Sequence, residues 1–246
     1  MFRSIFSTTI GLCSQALLDY GTEKQKEKYL PGMAKGEIIG AFALTEPEAG
    51  SDAGSLKTLA NKEGNGYSIN GQKRYITNAP LADLFLVMAR TDPTIEGMKG
   101  ISAFLVDANA SGIKIKDPPK MLGHKGSYVC GVSFENVFVS VEDLVGGKEG
   151  TGLQAALRGI NHARTHVAAT CVGQSIRLIH EMIPFAINRS QFGKSLADMP
   201  TIQNMIADSY TDMNAAKSMT LEAARIFDSG NIPALEISSA KYFSSE

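Results

Sequence analysis

The sequence predicts an α+β chain in three zones: N-terminal helices, a central antiparallel β-domain of sandwich or barrel type, and a C-terminal bundle of long helices. Three observations predict it. Apolar residues recur at helical spacing up to about residue 36 and again after about residue 148. Between them lie short β-type runs separated by turn signals. No long helical pattern interrupts those runs, which argues against βαβ units and a parallel sheet. The expected domains are 1–36, 37–147 and 148–246.

Each element has its own signal. "IGLCSQALLDYG" is helical and stops on Gly21, and "TEKQKEKYLPGMAKGE" opens on Thr22 with Gln25 at capping-box spacing. Pro31 is expected to break that second helix. The β-type runs are "EIIGAFAL", "SLKTLAN", "GYSING", "QKRYIT", "ADLFLVMAR", "GISAFLVDA", "GIKIKD" and "VCGVSFENVFVS". Gly64-Asn65-Gly66 and Asn70-Gly71 read as hairpin or tight turns. Helical spacing returns in "TGLQAALRGINHARTHVAATCVGQSIRLIHEMI", which Pro184 interrupts. A second long helix places Ile202, Met205, Ile206, Tyr210, Met213, Ala216, Leu221, Ala224 and Phe227 on one face. The last pattern, "ALEISSAKYFSSE", has no stop signal, and the first begins inside an apolar helical pattern. Both are expected of an incomplete chain.

Composition narrows the classes. A hydrophobic content of 43% supports a sizeable core, and a net charge of -1 argues against a nucleic-acid or membrane-surface binder. No apolar run is long enough to span a bilayer, and no signal peptide is visible. Cys13, Cys130 and Cys171 read as buried thiols in a reducing compartment. His162 and His166 are four apart but have no third ligand nearby, so no metal site is expected.

Three segments could carry chemistry. "ALTEPEAGSDAGS", residues 43–55, follows a strand-like run. It reads as a polar turn, as a phosphate cradle of the wrong spacing, or as a loop presenting N–H groups and hydroxyls to a planar polar ligand. In "GQKRYITNA", Tyr75 and Thr77 alternate along a strand and share one face, which suits a flat heteroaromatic ring; an ordinary strand fits equally. In "NRSQFGK", Arg189 offers a planar fork for phosphate and Gly193 a close backbone approach. A capped helix corner explains that segment as well.

Taken together these segments carry a resemblance. The pattern L-T-E-P-x-A-G-S-D, then "GQKRYITN", "GISAFLVD", "MLGHKGSYVCGVSFENVFVSVEDLVGGKEGTG", "NHARTHVAATCVG" and "NRSQFGKSLAD", in that order, resembles the acyl-CoA dehydrogenase flavoprotein family over essentially the whole chain. The resemblance implies an acyl-CoA dehydrogenase-like fold with FAD at the domain junction. It implies that Phe42, Ala43, Leu44, Thr45, Gly50 and Ser51 line one side of the flavin and Tyr75, Ile76 and Thr77 the other. Arg189, Gln191 and Phe192 match positions that reach FAD from a neighbouring subunit, which implies a homo-oligomer, a dimer or tetramer. Ser51, Asn161 and Arg164 match positions at the acyl-CoA substrate.

The implied reaction is α,β-dehydrogenation of an acyl-CoA thioester, with electrons passed to an electron-transfer flavoprotein. No residue of the chain matches the catalytic glutamate. Ala163 stands at the alternative position on the helix, Glu46 belongs to the loop signature, and the base is expected beyond Glu246. Pro200 and His124 depart from the family pattern. Competing readings are a same-fold flavin oxidase or monooxygenase acting on nitroalkanes or aromatic thiols, and a non-catalytic flavin- or CoA-binding remnant. The resemblance is compatible with bacterial cytoplasm or mitochondrial matrix.

Overall fold

The computed structural model describes residues 2–231 and 233–246. They form two compact units, Met1–His162 and Ala163–Glu246. The first opens with α1 (Phe2–Thr8), a π-helical turn (Thr9–Ser14) and α2 (Gln15–Tyr20), and Gly21 ends the run as expected. The capping box of α3 (Glu23–Lys35) is formed by both partners: Thr22 N–H donates to Gln25 Oε1 at 3.0 Å and Gln25 N–H to Thr22 Oγ1 at 3.3 Å. Pro31 does not break α3. Only the ladder bond to the Glu27 carbonyl is lost, and Glu27 is exposed, so water can take that carbonyl.

Seven strands build one curled sheet: β1 (Gly40–Ala43), β2 (Leu59–Glu63), β3 (Gly66–Thr77), β4 (Leu84–Arg90), β5 (Ile101–Asp107), β6 (Ile113–Ile115) and β7 (Val129–Ser140). The sheet is mixed rather than wholly antiparallel. The β2–β3, β3–β7, β4–β5 and β6–β7 pairs are antiparallel, but β1 and β2 both run parallel to β4. Because β5 pairs along the whole of β4, β1 and β2 must share the other edge. They are two halves of one strand position. Residues 44–58 leave the sheet between them.

The turn signals divide. Gly64 and Asn65 do close the β2–β3 hairpin, with Gly64 at φ +56°. Asn70 and Gly71 make no turn; they sit inside β3 at a bulge in its pairing with β7. Asn70 Oδ1 accepts the Asn136 N–H at 2.8 Å. A Cβ on Gly71 would lie 2.4 Å from Thr58 Oγ1, so the glycine answers a close approach.

Strand β4 is buried on both faces. Phe85, Val87 and Ala89 join Phe104, Phe134 and Val132 in one core, while Leu84, Leu86 and Met88 join Leu17, Met33 and Leu153 in the other. Cys13 and Cys130 are buried as expected; Cys171 is only half-buried.

Helix α4 (Gly152–Asn188) begins in the first unit and ends in the second. It runs through Pro184 to Asn188 instead of stopping there. Helices α5 (Pro200–Asp228) and α6 (Ala234–Ser245) follow. The core of the second unit gathers Ala168, Ala223, Ile237 and Ala240. The buried stripe of α5 is Met213, Ala216, Thr220 and Ala223; Met205, Tyr210 and Leu221, expected inside, are exposed. Among the described residues no helix is long and apolar enough to cross a membrane.

Candidate functional site

The excursion 44–58 is held from below. Leu44, Ala49 and Leu56 anchor it in the helix-facing core, and Glu46 N–H donates to the Ala49 carbonyl at 2.9 Å across Pro47. The Glu46 carboxylate is buried. It accepts from Lys57 N–H at 2.6 Å, Thr58 N–H at 2.9 Å, Thr58 Oγ1 at 2.5 Å and Lys73 Nζ at 2.8 Å. Lys73 Nζ donates as well to the Leu44 carbonyl at 3.1 Å, and its side chain is 0% exposed.

Burial pushes the Glu46 pKa up, but the Lys73 charge and the bonds from Lys57, Lys73 and Thr58 outweigh it and leave it below the usual 4.5. Burial pulls Lys73 down to about 8 against the opposing Glu46 charge. Both groups are therefore ionised at neutral pH, and the buried Glu46 carboxylate is engaged by four donors. The far end of the excursion is clasped by Arg90, which donates to the carbonyls of Gly54 at 2.7 Å, Leu56 at 3.2 Å and Ile95 at 2.8 Å.

Strand β3 supplies a second wall. Arg74 N–H donates to the Thr45 carbonyl at 2.8 Å, which carries β3 past its β2 partner to the end of β1. Tyr75 is at φ +59° inside a bulge, so the simple alternation of Tyr75 and Thr77 does not hold there. A bulky residue in that region is strained, and the bulge re-aims the ring. Tyr75 is 55% exposed, with the Arg74 guanidinium 4.6 Å from its ring centre; Ile76 beside it is buried. Asn78, at φ +70°, donates to the Gly40 carbonyl at 3.1 Å, and Gly40 N–H donates to Thr9 Oγ1 at 3.1 Å. The π-turn therefore braces the start of β1.

The two nominated segments of this unit are joined at one backbone bond, from Arg74 N–H to the Thr45 carbonyl. Phe42 and Ala43 end β1, Leu44, Thr45, Gly50 and Ser51 follow, and Tyr75, Ile76 and Thr77 end β3. The Thr45, Ser51 and Thr77 hydroxyls make no side-chain hydrogen bond among the described residues, and the Tyr75 ring is half-exposed with Arg74 over it. That set fits a flat, polar-edged ring such as a flavin. Asn161 lies on α4 in the same unit.

Arg164, Arg189, Gln191 and Phe192 belong to the second unit. The last three flank or form a short hairpin, β8 (Ser190–Gln191) with β9 (Lys194–Ser195). Its backbone is a helix corner: Arg189 N–H closes on the Phe185 carbonyl and Leu196 N–H on that of Arg189. All three side chains are exposed, Phe192 at 94%. Among the described residues no group of three His, Cys, Asp or Glu side chains could hold a metal.

Sequence reasoning missed Lys73, Asn78 and Arg90. The available signal for Lys73 was a charge at an inward strand position paired with an acid in a nearby loop. Neither Arg90 nor Asn78 had one, since both act on backbone carbonyls.

The chain matches three consecutive domains of one family: the acyl-CoA dehydrogenase N-terminal domain over residues 1–37, the middle domain over 41–137 and the C-terminal domain over 150–246. It is 41% identical over 227 residues to the short/branched chain specific acyl-CoA dehydrogenase of rat mitochondria, covering 92% of this chain and 52% of that one. The structure of butyryl-CoA dehydrogenase from Megasphaera elsdenii is similar at a TM-score of 0.92 and 33% identity, over 97% of this chain and 62% of that one. The prolyl acyl carrier protein oxidase AnaB is similar at 0.94 and 34%, over 98% and 64%. The chain belongs to the acyl-CoA dehydrogenase family. It spans about half to just under two thirds of the length of the relatives it matches.

Proposed function

We propose that this chain carries the flavin-lined part of an acyl-CoA dehydrogenase that oxidises an acyl-CoA thioester between its α and β carbons. One observation supports this above all: the signature loop and the end of β3 are joined at Thr45 and Arg74, with Tyr75 next along β3 and half-exposed. When bound, FAD supplies the hydride acceptor. Thr45 and Thr77 orient the ring edge, Tyr75 covers a face, and the apolar Ile76 and Leu44 behind them exclude water. Ser51, Asn161 and Arg164 hold the substrate. Arg189, with Gln191 and Phe192, binds the FAD of a neighbouring subunit, so the enzyme works as a homo-oligomer.

The α-proton goes neither to the helix position of Ala163 nor to Glu46. Ala163 has no acceptor, and Glu46 is occupied by Lys73, Thr58 and two N–H groups. An electron-transfer flavoprotein reoxidises the enzyme, in bacterial cytoplasm or mitochondrial matrix. The domains of this reading are 1–36, 37–147 and 148–246.

Full-length protein should be yellow and should bleach anaerobically on addition of a short acyl-CoA. Colourless, folded protein overturns the reading. Likeness to an oxidase of the same fold favours one second reading, direct reaction with oxygen. Oxygen uptake during turnover without an electron-transfer flavoprotein would select it.

A further inference from the structure

The signature loop has to present Thr45 at a fixed height above β3, yet the loop itself is an excursion between two half-strands, with sheet pairing on neither side. What replaces the pairing is a set of three bonds. Lys73 Nζ holds the Leu44 carbonyl at 3.1 Å, Arg74 N–H holds the Thr45 carbonyl at 2.8 Å, and Lys73 Nζ holds the Glu46 carboxylate at 2.8 Å. Every one of the three residues Leu44, Thr45 and Glu46 is tied to Lys73 or Arg74. Tyr75 comes next on the same strand.

We propose that Lys73, held by Glu46, is a positioning residue for the bound flavin: a buried cross-link that fixes Thr45 on one wall of the site relative to Tyr75 on the other. The proposal rests on the flavin reading given above. Three physical points carry it. A buried ion pair adds little net stability compared with apolar residues of the same volume, so stability alone does not account for it. An ammonium can donate in three directions from one atom, and here two are used on either side of Thr45; an apolar side chain can do neither. The Glu46 carboxylate also takes the N–H groups of Lys57 and Thr58, so the same pair fixes where the excursion re-enters the sheet at β2. Lys73 is fully buried and donates to the Leu44 carbonyl and the Glu46 carboxylate. It acts through Thr45 and the Tyr75 bulge.

The test compares the full-length wild-type enzyme with Lys73→Met and with the double variant Glu46→Gln/Lys73→Met. Amide hydrogen exchange in FAD-free protein is read over residues 44–58 and 73–78, with β4 and β5 as internal control. FAD affinity is read by flavin fluorescence, and the visible band is recorded at saturating FAD. Both variants should exchange at least tenfold faster in the two site segments and unchanged in β4 and β5. They should bind FAD at least tenfold more weakly, with a shifted visible band. The double variant should regain thermal stability without regaining either property.

A double variant that folds and recovers wild-type exchange and FAD affinity within twofold overturns the proposal, because the pair would then only neutralise itself. Should Lys73→Met fail to fold, the double variant alone decides. Wild-type protein that binds no FAD overturns the flavin reading, and this proposal with it. Equal FAD binding by wild type and double variant overturns this proposal alone.

Discussion

The segments 44–58 and 189–193 are both expected to touch FAD, the second that of a neighbouring subunit, yet they are built in opposite ways. The first is braced by a buried ion pair, an arginine clasp and a backbone bond to β3. The second is a pair of two-residue strands whose Arg189, Gln191 and Phe192 side chains are exposed. Side chains used to hold a loop are unavailable to a ligand, and those left exposed contribute little to the fold. Substitutions in the first region should therefore register in stability and binding together, and those in the second in binding alone.

Lys73→Met tests this contrast most severely. Removing one partner of a buried pair leaves the Glu46 charge uncompensated, and urea unfolding should show a loss of about 3–5 kcal/mol. Adding Glu46→Gln should restore much of it. Next comes Arg90→Ala, which leaves the carbonyls of Gly54, Leu56 and Ile95 short of a donor. A loss of about 1–3 kcal/mol is expected, smaller because part of this cluster is reached by water. Arg189→Ala should leave the unfolding midpoint within about 0.5 kcal/mol of wild type. Its effect should appear as weaker FAD binding, measured by flavin fluorescence during dilution of the oligomer. Equal stability losses at Lys73 and Arg189 would remove the distinction between the two regions.

The sequence made the periodic parts readable and left the tertiary exceptions hidden. The helices, the β-zone and the capping box at Thr22 rest on local patterns, and they formed. Pro31 and Pro184 looked like breaks because a missing N–H is a local fact, whereas its cost depends on whether water reaches the orphaned carbonyl. Asn70-Gly71 looked like a turn, but Gly71 serves a contact with Thr58, a residue thirteen positions earlier, just before β2. The parallel pairing of β1 and β2 with β4 was invisible, because half-strands of one edge position carry no pattern that marks them as halves. At the site, residue type pointed to Thr45, Ser51, Tyr75, Thr77 and Arg189, and the family resemblance supplied the rest. Those that hold them, Lys73 and Arg90, act on carbonyls, and every residue offers a carbonyl.

Glu46 and Glu48 give the smallest expected effect and the closest comparison. Each pairs with a lysine, and Glu48 Oε2 is nearer to Lys57 Nζ, at 2.5 Å, than Glu46 Oε1 is to Lys73 Nζ, at 2.8 Å. Distance alone would rank the outer pair first. The side chains of Glu48 and Lys57 are 73% and 74% exposed, however, so water and salt screen them and the pair is held at an entropic cost. Glu48→Gln should leave the urea midpoint unchanged at neutral pH.

The pH profile separates the two glutamates further. The folded pKa of Glu46 lies below its unfolded value of 4.5, so its contribution is fully present above 4.5 and is lost as pH falls through the folded pKa. Lys73 acts at the other end. Its folded pKa of about 8 lies below the unfolded 10.5, so the unfolded chain holds more protons between those values and this group's contribution rises with pH across that window. Glu46→Gln/Lys73→Met should flatten both slopes in a plot of urea midpoint against pH, and Glu48→Gln should leave the alkaline slope as it is. If Glu48→Gln flattened the alkaline slope as far as the double variant does, the buried pair would not be what sets it, and the contrast between a braced wall and a bare one would lose its physical basis.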